Sequence, residues 1–120
     1  MSKKTLILGA SSNPARYSYK AAIQLTKLGH EIYCYGKQHG YIEDLEIKNE
    51  LPIQKDFDTV TLYLNPTHQQ QFYNYIIELK PKRVLFNPGT ENVELQELLR
   101  QNKINFEESC TLVLLSIGNY

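Results

Sequence analysis

The segment Gly9–Ser18 combines residue types suited to binding a phosphate group. It lies between a short apolar run and a helical stretch, so the first N–H groups of the helix point outwards, unpaired, at the positive end of the helix dipole. A small residue such as Gly9 lets a ligand approach the backbone, while serine hydroxyls and the Arg16 guanidinium add donors and charge. The candidate contacts are Gly9, Ala10, Ser11, Ser12, Arg16 and Ser18.

Two well-known phosphate-binding patterns do not occur in this segment. It has one glycine where the fingerprint G-x-G-x-x-G has three, and it does not match G-x-x-x-x-G-K-[ST]. Nucleoside-triphosphate hydrolysis of the second type is therefore unsupported. The alternative interpretation of the segment is an ordinary strand-to-helix turn with serine caps.

A lysine follows the second predicted strand, in the sequence Tyr35-Gly36-Lys37. Proteins that bind NAD place Asp or Glu at this point to hold the ribose hydroxyls. Lys37 instead suits a phosphorylated ribose, either the 3′-phosphate of coenzyme A or the 2′-phosphate of NADP. The alternative is a solvated loop lysine.

Further candidates follow the third and fourth predicted strands. They are Asn65 and the sequence Asn87-Pro88-Gly89, for which a tight turn is the alternative. A cluster of tyrosines could flank an adenine or simply fill the edge of the core. Its members are Tyr17, Tyr19, Tyr33 and Tyr35.

We expect neither a catalytic site nor a metal site. The sequence offers no recognisable carboxylate pair and no Ser–His–acid arrangement. His30, His39 and His68 lack metal-ligand spacing and are interpreted as loop or cap residues. Cys110 has no basic neighbour in sequence, so we interpret it as an inert thiol.

These candidates are separated by an alternation of strands and helices. The apolar and β-branched runs predict strands at Thr5–Ala10, Glu31–Tyr35, Thr59–Leu64, Arg83–Phe86 and Asn105–Ser109. Helical spacing predicts a first helix with one face that consists of Ser18, Ala21, Ala22, Leu25 and Leu28. It predicts a second helix that is capped by Thr67 with Gln70 and stops at Pro81. A third helix is predicted over 91–101, and a terminal helical turn within 112–117. Residues 36–57 are predicted to be irregular, with at most a short strand or a turn of helix.

Such an alternation predicts an α/β fold of the Rossmann-like type. We expect an open parallel sheet of about five strands with helices on both faces, in three layers α/β/α. Ligands of such sheets bind beyond the carboxyl ends of the strands, where the strand order reverses. The places to look are therefore 9–18, 35–37, 64–67 and 87–90.

The whole composition sets limits on partners. A length of 120 residues predicts one domain, 1–120. Thirteen basic and thirteen acidic residues give zero net charge, which argues against broad nucleic-acid binding. The sequence has no apolar run that could span a membrane and no signal peptide. Two cysteines without disulfide or metal spacing, Cys34 and Cys110, fit a reducing cytoplasm.

The sequence resembles the small bacterial coenzyme-A-binding domain proteins, which are related to the N-terminal domain of the succinyl-coenzyme A ligase alpha subunit. The likeness is most specific in Leu8-Gly-Ala-Ser-Ser-Asn-Pro-Ala-Arg-Tyr-Ser-Tyr-Lys-Ala-Ala22. It continues through Leu28-Gly29-His-Glu-Ile32, Leu51-Pro52, Phe57-Asp58-Thr-Val60, Val84-Leu-Phe-Asn-Pro-Gly89 and Cys110. Family members usually carry Asn-Pro where this chain has Gly36-Lys37, and commonly glutamine where Asn87 stands.

The resemblance implies a Rossmann-like fold and binding of coenzyme A. Adenosine and pyrophosphate would lie on 9–18, the phosphorylated ribose near Lys37, and the pantetheine arm near 87–89. Our first hypothesis is therefore non-catalytic binding of coenzyme A or an acyl-CoA. Two alternatives stay open at this point: a small NADP-binding oxidoreductase or nucleotide sensor, and an interaction protein that kept the fold without a ligand.

Overall fold

The computed structural model describes residues 2–120, which form strands and helices in alternation. The strands are β1 (Thr5–Leu8), β2 (Ile32–Tyr35), β3 (Gly40–Ile42), β4 (Leu45–Lys48), β5 (Thr59–Leu62), β6 (Arg83–Phe86) and β7 (Asn105–Glu108). The helices are α1 (Tyr17–Lys27), α2 (Pro66–Gln69), α3 (Tyr73–Leu79), α4 (Val93–Gln101) and α5 (Thr111–Ser116), with a 3₁₀ turn at Gln70–Phe72 between α2 and α3.

The strands form one open sheet in the order β3-β4-β2-β1-β5-β6-β7. Neighbouring strands run parallel, except that β3 is antiparallel to β4. This arrangement confirms the predicted Rossmann-like α/β fold.

The predicted count of about five strands was wrong, because the sheet within residues 2–120 has seven. The two additional strands, β3 and β4, form a hairpin inside the segment that the sequence analysis described as irregular. Ile42 and Ile47 are the fully buried side chains of this hairpin. Such short strands with so few buried positions leave no alternating pattern to detect.

The apolar run of β1 is covered on both faces of the sheet. Leu6 and Leu8 belong to a core that includes residues of α3 and α4, such as Ile76 and Leu99. Ile7 points the other way, into a second core that includes Leu25 of α1 and residues of α5. The helices thus lie on both faces, which gives the predicted three layers.

The strand order reverses at β1, which pairs with β2 on one side and with β5 on the other. The chain leaves β1 through α1, which packs on one face, and leaves β5 through α2 and α3, which pack on the opposite face. The two connections therefore diverge at the carboxyl end of β1. This is the place where open α/β sheets form a ligand crevice.

The capping box predicted for Thr67 and Gln70 does not form. Helix α2 begins earlier, at Pro66, and its N-cap is Asn65, whose side chain accepts a hydrogen bond from the backbone N–H of His68. Proline suits the first helical position because it lacks an N–H that would need a partner there. Nowhere between residues 2 and 120 is a helix long and apolar enough to cross a membrane.

Candidate functional site

A crevice runs along the carboxyl ends of the central strands and consists of two adjoining grooves. Groove A has a volume of about 600 Å³. It lies between the segment after β1 and the segments after β5 and β6, and its lining consists of Gly9, Ala10, Ser11, Ala15, Arg16, Tyr17, Ser18, Lys37, Tyr63, Leu64, Asn65, His68, Pro88, Gly89 and Thr90.

Groove B continues from groove A towards the end of β2 and has a volume of about 320 Å³. Two aromatic rings, Tyr35 and Phe72, stand edge to face in its lining with centroids 5.3 Å apart. The two grooves share four residues, which we call the waist: Gly9, Lys37, Leu64 and His68. A ligand longer than either groove could therefore occupy both.

The crevice is lined by positive charge. Arg16 and Lys37 are exposed cations in its lining, together with the imidazole of His68. Among residues 2–120, no Asp or Glu belongs to the lining of groove A or groove B. Other cavities of the molecule hold carboxylates, such as Glu46 and Glu50 in one and Asp58 and Glu107 in another. In a chain of zero net charge, this separation favours an anionic ligand in the crevice.

The loop between β1 and α1 is held in shape by its own hydrogen bonds. The N–H groups of Gly9 and Ala10 both donate to the carbonyl of Tyr35, at 3.0 and 2.8 Å. The Asn13 side chain accepts from the N–H of Ala15 at 2.9 Å. Helix α1 then begins after Arg16 without a side-chain cap and without an acidic residue in its first turn. Its N-terminus therefore presents uncompensated N–H groups to the crevice.

Two glycines allow close packing at the carboxyl end of the sheet, Gly9 against the segment after β5 and Gly36 against the segment after β1. Gly9 has a φ of +99°, and a Cβ there would lie 3.0 Å from the carbonyl carbon of Tyr63. A Cβ at Gly36 would lie 2.5 Å from the carbonyl oxygen of Ala10. Both positions therefore need glycine for the fold itself, in addition to any approach of a ligand.

The structure places most of the predicted contacts in the crevice. Gly9, Ala10, Ser11, Arg16, Ser18, Lys37, Asn65, Pro88 and Gly89 line groove A, and Gly36 lines groove B. Ser12, Tyr19 and Asn87 lie outside both linings. Ser12 faces Gly40 of the β3–β4 hairpin, and Tyr19 packs against the core on the α1 side of the sheet.

Asn87 lies beneath the crevice and is only 3% exposed. Its Nδ2 donates to Thr61 Oγ1 at 2.7 Å and to the carbonyl of Leu62 at 2.8 Å. Its Oδ1 accepts from the backbone N–H of Thr111 at 2.8 Å. The side chain thus ties β5 to the start of α5, and it is Pro88, Gly89 and Thr90 that reach the groove.

Several lining residues lie outside the regions that the sequence predicts, and His68 is the one that carries the most chemistry. The sequence predicts a loop or cap residue there, and the predicted ligand region after the third strand ends at residue 67. The signal that could have found it is its position at the start of the helix that follows that strand. The other lining residues outside the predicted regions include Tyr63, Phe72, Gln71 and Asn49, whereas Thr90 lies inside the predicted region 87–90.

Two potential nucleophiles are held neutral: Tyr63, which lines groove A, and Cys34 of β2, which lies outside both linings. Burial raises the pKa of the Cys34 thiol to about 12 and that of the Tyr63 hydroxyl also to about 12. Cys34 and Cys110 are both free thiols. Within the part of the chain that the structure describes, no cluster of His, Cys, Asp and Glu is arranged to hold a metal ion.

Residues 3–116 match the sequence model of a family described as a CoA binding domain. Since the match takes in both grooves, it covers the loop after β1 and every element that lines the crevice. A comparison with curated proteins gave no match.

The fold recurs in solved structures. A crystal structure of an uncharacterized protein is 52% identical, covers 100% of this chain and 99% of its own, and superposes with a TM-score of 0.96. A conserved hypothetical protein from Pyrococcus furiosus is 27% identical over 94% of this chain and 98% of its own, with a TM-score of 0.78. A structure from Thermus thermophilus is 17% identical, covers 99% of this chain and 91% of its own, and superposes with a TM-score of 0.86. At this identity the likeness shows the fold alone.

Proposed function

This chain belongs to the CoA-binding domain family, and we propose that it binds coenzyme A or an acyl-CoA in the crevice without transforming it. The observation that carries the proposal is the charge of the lining. Arg16 lines groove A, Lys37 and His68 line both grooves, and no carboxylate of residues 2–120 lines either. Coenzyme A carries a pyrophosphate and a 3′-phosphate, which such a lining would attract.

We assign the pyrophosphate to the segment that begins at Gly9 and ends at the start of α1. The uncapped N-terminus of α1 offers backbone N–H groups and a partial positive charge, and Arg16 adds a full charge. Ser11 and Ser18 line the same part of groove A and supply hydroxyl donors.

We assign the phosphorylated ribose to Lys37 and the adenine to groove B. Lys37 stands at the waist, so one end of the ligand can turn from groove A into groove B past its ammonium group. Tyr35 and Phe72 offer aromatic edges to a base there. The pantetheine arm would then run in the other direction, along Pro88, Gly89 and Thr90.

Binding without reaction fits the side chains that the crevice offers. The Tyr63 hydroxyl, which lines groove A, is neutral at physiological pH because burial raises its pKa to about 12. Burial likewise raises the pKa of the Cys34 thiol to about 12, and Cys34 lies outside both linings. Neither is therefore an activated nucleophile. The role that we propose is to hold or deliver the ligand.

The first test is a comparison of four ligands by thermal unfolding and calorimetry: coenzyme A, dephospho-coenzyme A, NADP and NAD. A ligand at about 100 times its dissociation constant should add roughly 2.7 kcal/mol to the free energy of unfolding. We expect stabilisation by coenzyme A and a smaller effect of dephospho-coenzyme A. Stabilisation by NADP alone would favour the alternative of a small NADP-binding oxidoreductase or nucleotide sensor. If none of the four ligands stabilised the protein, the proposal would be overturned.

The second test removes the charge at the waist. Lys37→Ala should weaken coenzyme A binding about threefold to tenfold, because an exposed charge-assisted contact to phosphate is lost. Binding of dephospho-coenzyme A should change much less. Lys82→Ala is the matched control, since Lys82 is also exposed but precedes β6 at the opposite end of the sheet. Equal losses for the two ligands would show that Lys37 does not contact the 3′-phosphate.

A further inference from the structure

We propose that His68 is a phosphate contact at the waist of the crevice and that its protonation couples ligand binding to pH, an inference that rests on the proposed function. His68 lies in the lining of both grooves, together with Lys37. A ligand that extends from one groove into the other passes both residues, since they line the part that the two grooves share. A phosphate of that ligand would then lie beside the imidazolium of His68.

The backbone of His68 is fixed by the cap of α2. Asn65 Oδ1 accepts a hydrogen bond from the His68 N–H at 2.9 Å, and Gln71 Nε2 donates to the His68 carbonyl at 3.4 Å. These contacts hold the main chain and do not involve the imidazole. The side chain is therefore presented from a structured position at the start of a helix.

The other two histidines are used within the protein. His30 Nδ1 accepts a hydrogen bond from the Lys3 N–H at 2.9 Å, and His39 Nε2 lies 2.9 Å from Glu46 Oε2. Among the ion pairs of residues 2–120, none involves His68, Arg16 or Lys37. His68 thus differs from its counterparts in facing a cavity of positive charge.

The titratable groups that line the grooves together with His68 come from each element around the crevice. Arg16 and Tyr17 lie at the start of α1, Tyr35 and Lys37 at and after the end of β2, and Tyr63 after β5. The carboxylate tied to the lining is that of Glu91, whose Oε1 accepts from the Gly89 N–H at 3.0 Å on the pantetheine side. Arg16 and Lys37 are the permanent cations among these groups, and none of residues 2–120 contributes a carboxylate to the lining.

Binding of the phosphate should therefore favour uptake of a proton by His68. The imidazolium adds a positive charge and a second N–H donor, and both strengthen a hydrogen bond to a phosphate oxygen. By linkage, a group that gains a proton on binding makes the affinity rise as the pH falls through its titration range. Histidine titrates in the range where this matters, between about pH 5 and 8.

The test measures the dissociation constants of coenzyme A and of dephospho-coenzyme A between pH 6 and 8.5. The proteins compared are the wild type, His68→Gln, His68→Lys and the control His39→Gln. The ligand phosphates titrate as well, so the measured quantity is the ratio of each variant to the wild type at each pH. His68→Gln should be about threefold to tenfold weaker at pH 6 and within about twofold at pH 8.5. His68→Lys, whose charge is permanent, should bind at least as well as the wild type at pH 8.5.

Calorimetry in buffers of different ionisation enthalpy provides an independent readout. The wild type should take up a fraction of a proton on binding near neutral pH, and His68→Gln should take up measurably less, while His39→Gln should behave as the wild type. If the loss of affinity in His68→Gln disappears with dephospho-coenzyme A, the 3′-phosphate is the contact; if it persists, the pyrophosphate is.

The outcomes separate the two proposals. If the wild type binds coenzyme A and His68→Gln has the same affinity and proton uptake at every pH, the role of His68 is overturned and the proposed function stands. If the wild type binds no coenzyme A at any pH, the proposed function fails and this inference fails with it.

Discussion

At the scale of single residues, carboxamide side chains beneath the crevice fix the backbone that forms its floor. Gln69 Nε2 donates to the carbonyls of Leu64 and Thr90, both at 2.8 Å, and its Oε1 accepts from Asn92 Nδ2 at 2.9 Å. Asn87 makes an equally complete set of contacts. Because these buried amides are satisfied internally, we expect them to position the crevice and to make no contact with a ligand themselves.

The sequence could predict Asn87 as a member of the region but not its role. Its place directly after a strand at the carboxyl edge of the sheet predicts a position close to the ligand. Whether such a side chain points up into the groove or down into the protein depends on tertiary partners, here Thr61 and Thr111, that lie 26 and 24 residues away along the chain. No local pattern contains that information.

Replacing Asn87 by alanine tests whether it positions the crevice. We expect Asn87→Ala to lower the free energy of unfolding by about 2–4 kcal/mol, because the Leu62 carbonyl and the Thr111 N–H lose buried partners. Urea unfolding measures the loss, and coenzyme A affinity well below the melting temperature should stay within about threefold. Asn65→Ala is the comparison, with an expected cost of about 1 kcal/mol for a lost exposed cap. A stable Asn87→Ala protein that had lost its affinity would instead make Asn87 a ligand contact.

At the scale of elements, the β3–β4 hairpin supports the loop between β1 and α1. Gly36 N–H donates to the carbonyl of Lys48 at 2.9 Å, which continues the β2–β4 pairing beyond the end of β2. A Cβ at Gly40 would lie 3.3 Å from Ser12 Cβ, so the hairpin packs directly against the loop. The strands with repeated apolar residues were predictable, whereas this hairpin was not.

The close approach at Gly36 explains why this chain has glycine there. We expect Gly36→Ala to lower the free energy of unfolding by roughly 1–3 kcal/mol, since its Cβ would meet the Ala10 carbonyl oxygen and the Ile47 side chain and force a backbone shift. Gly40→Ala, whose Cβ would meet the adjustable Ser12 side chain, should cost less. Thermal unfolding of the two variants measures the difference. Equal stabilities of Gly36→Ala and the wild type would contradict this account of the close packing around Gly36.

At the scale of the whole molecule, the two ends of the sheet are used differently. The carboxyl end carries the crevice, with cations left free for a ligand. The amino end is tied together by internal contacts: Tyr120 hydroxyl lies 2.5 Å from Thr5 Oγ1, Arg83 stacks on the Tyr120 ring at 4.3 Å, and Lys4 Nζ lies 2.8 Å from Asp56. Changes at the amino end should therefore affect stability and leave ligand binding unchanged.

His30 belongs to the amino end and makes this separation testable by pH. Burial, together with the charges of Lys3 and Arg83, lowers the pKa of His30 below its ordinary value of 6.5. The unfolded chain therefore takes up a proton before the folded chain does, so the folded state loses stability as the pH falls below about 6.5. Protonation would also abolish the acceptor that receives the Lys3 N–H.

We expect the melting temperature of the wild type to fall between pH 7 and pH 5. The melting temperature of His30→Asn should fall less, because the asparagine amide oxygen can replace Nδ1 as an acceptor and does not titrate. The pKa of Asp56 is lowered by its hydrogen bond from Lys4, so that pair loses its contribution only below about pH 4, outside this window. Coenzyme A affinity at pH 7 should be the same in both proteins, because His30 is absent from the lining of either groove in the described chain. If the melting temperature of His30→Asn fell with pH as it does in the wild type, His30 would not be the source of the pH dependence. A loss of coenzyme A affinity in His30→Asn would show that the two ends of the sheet are coupled.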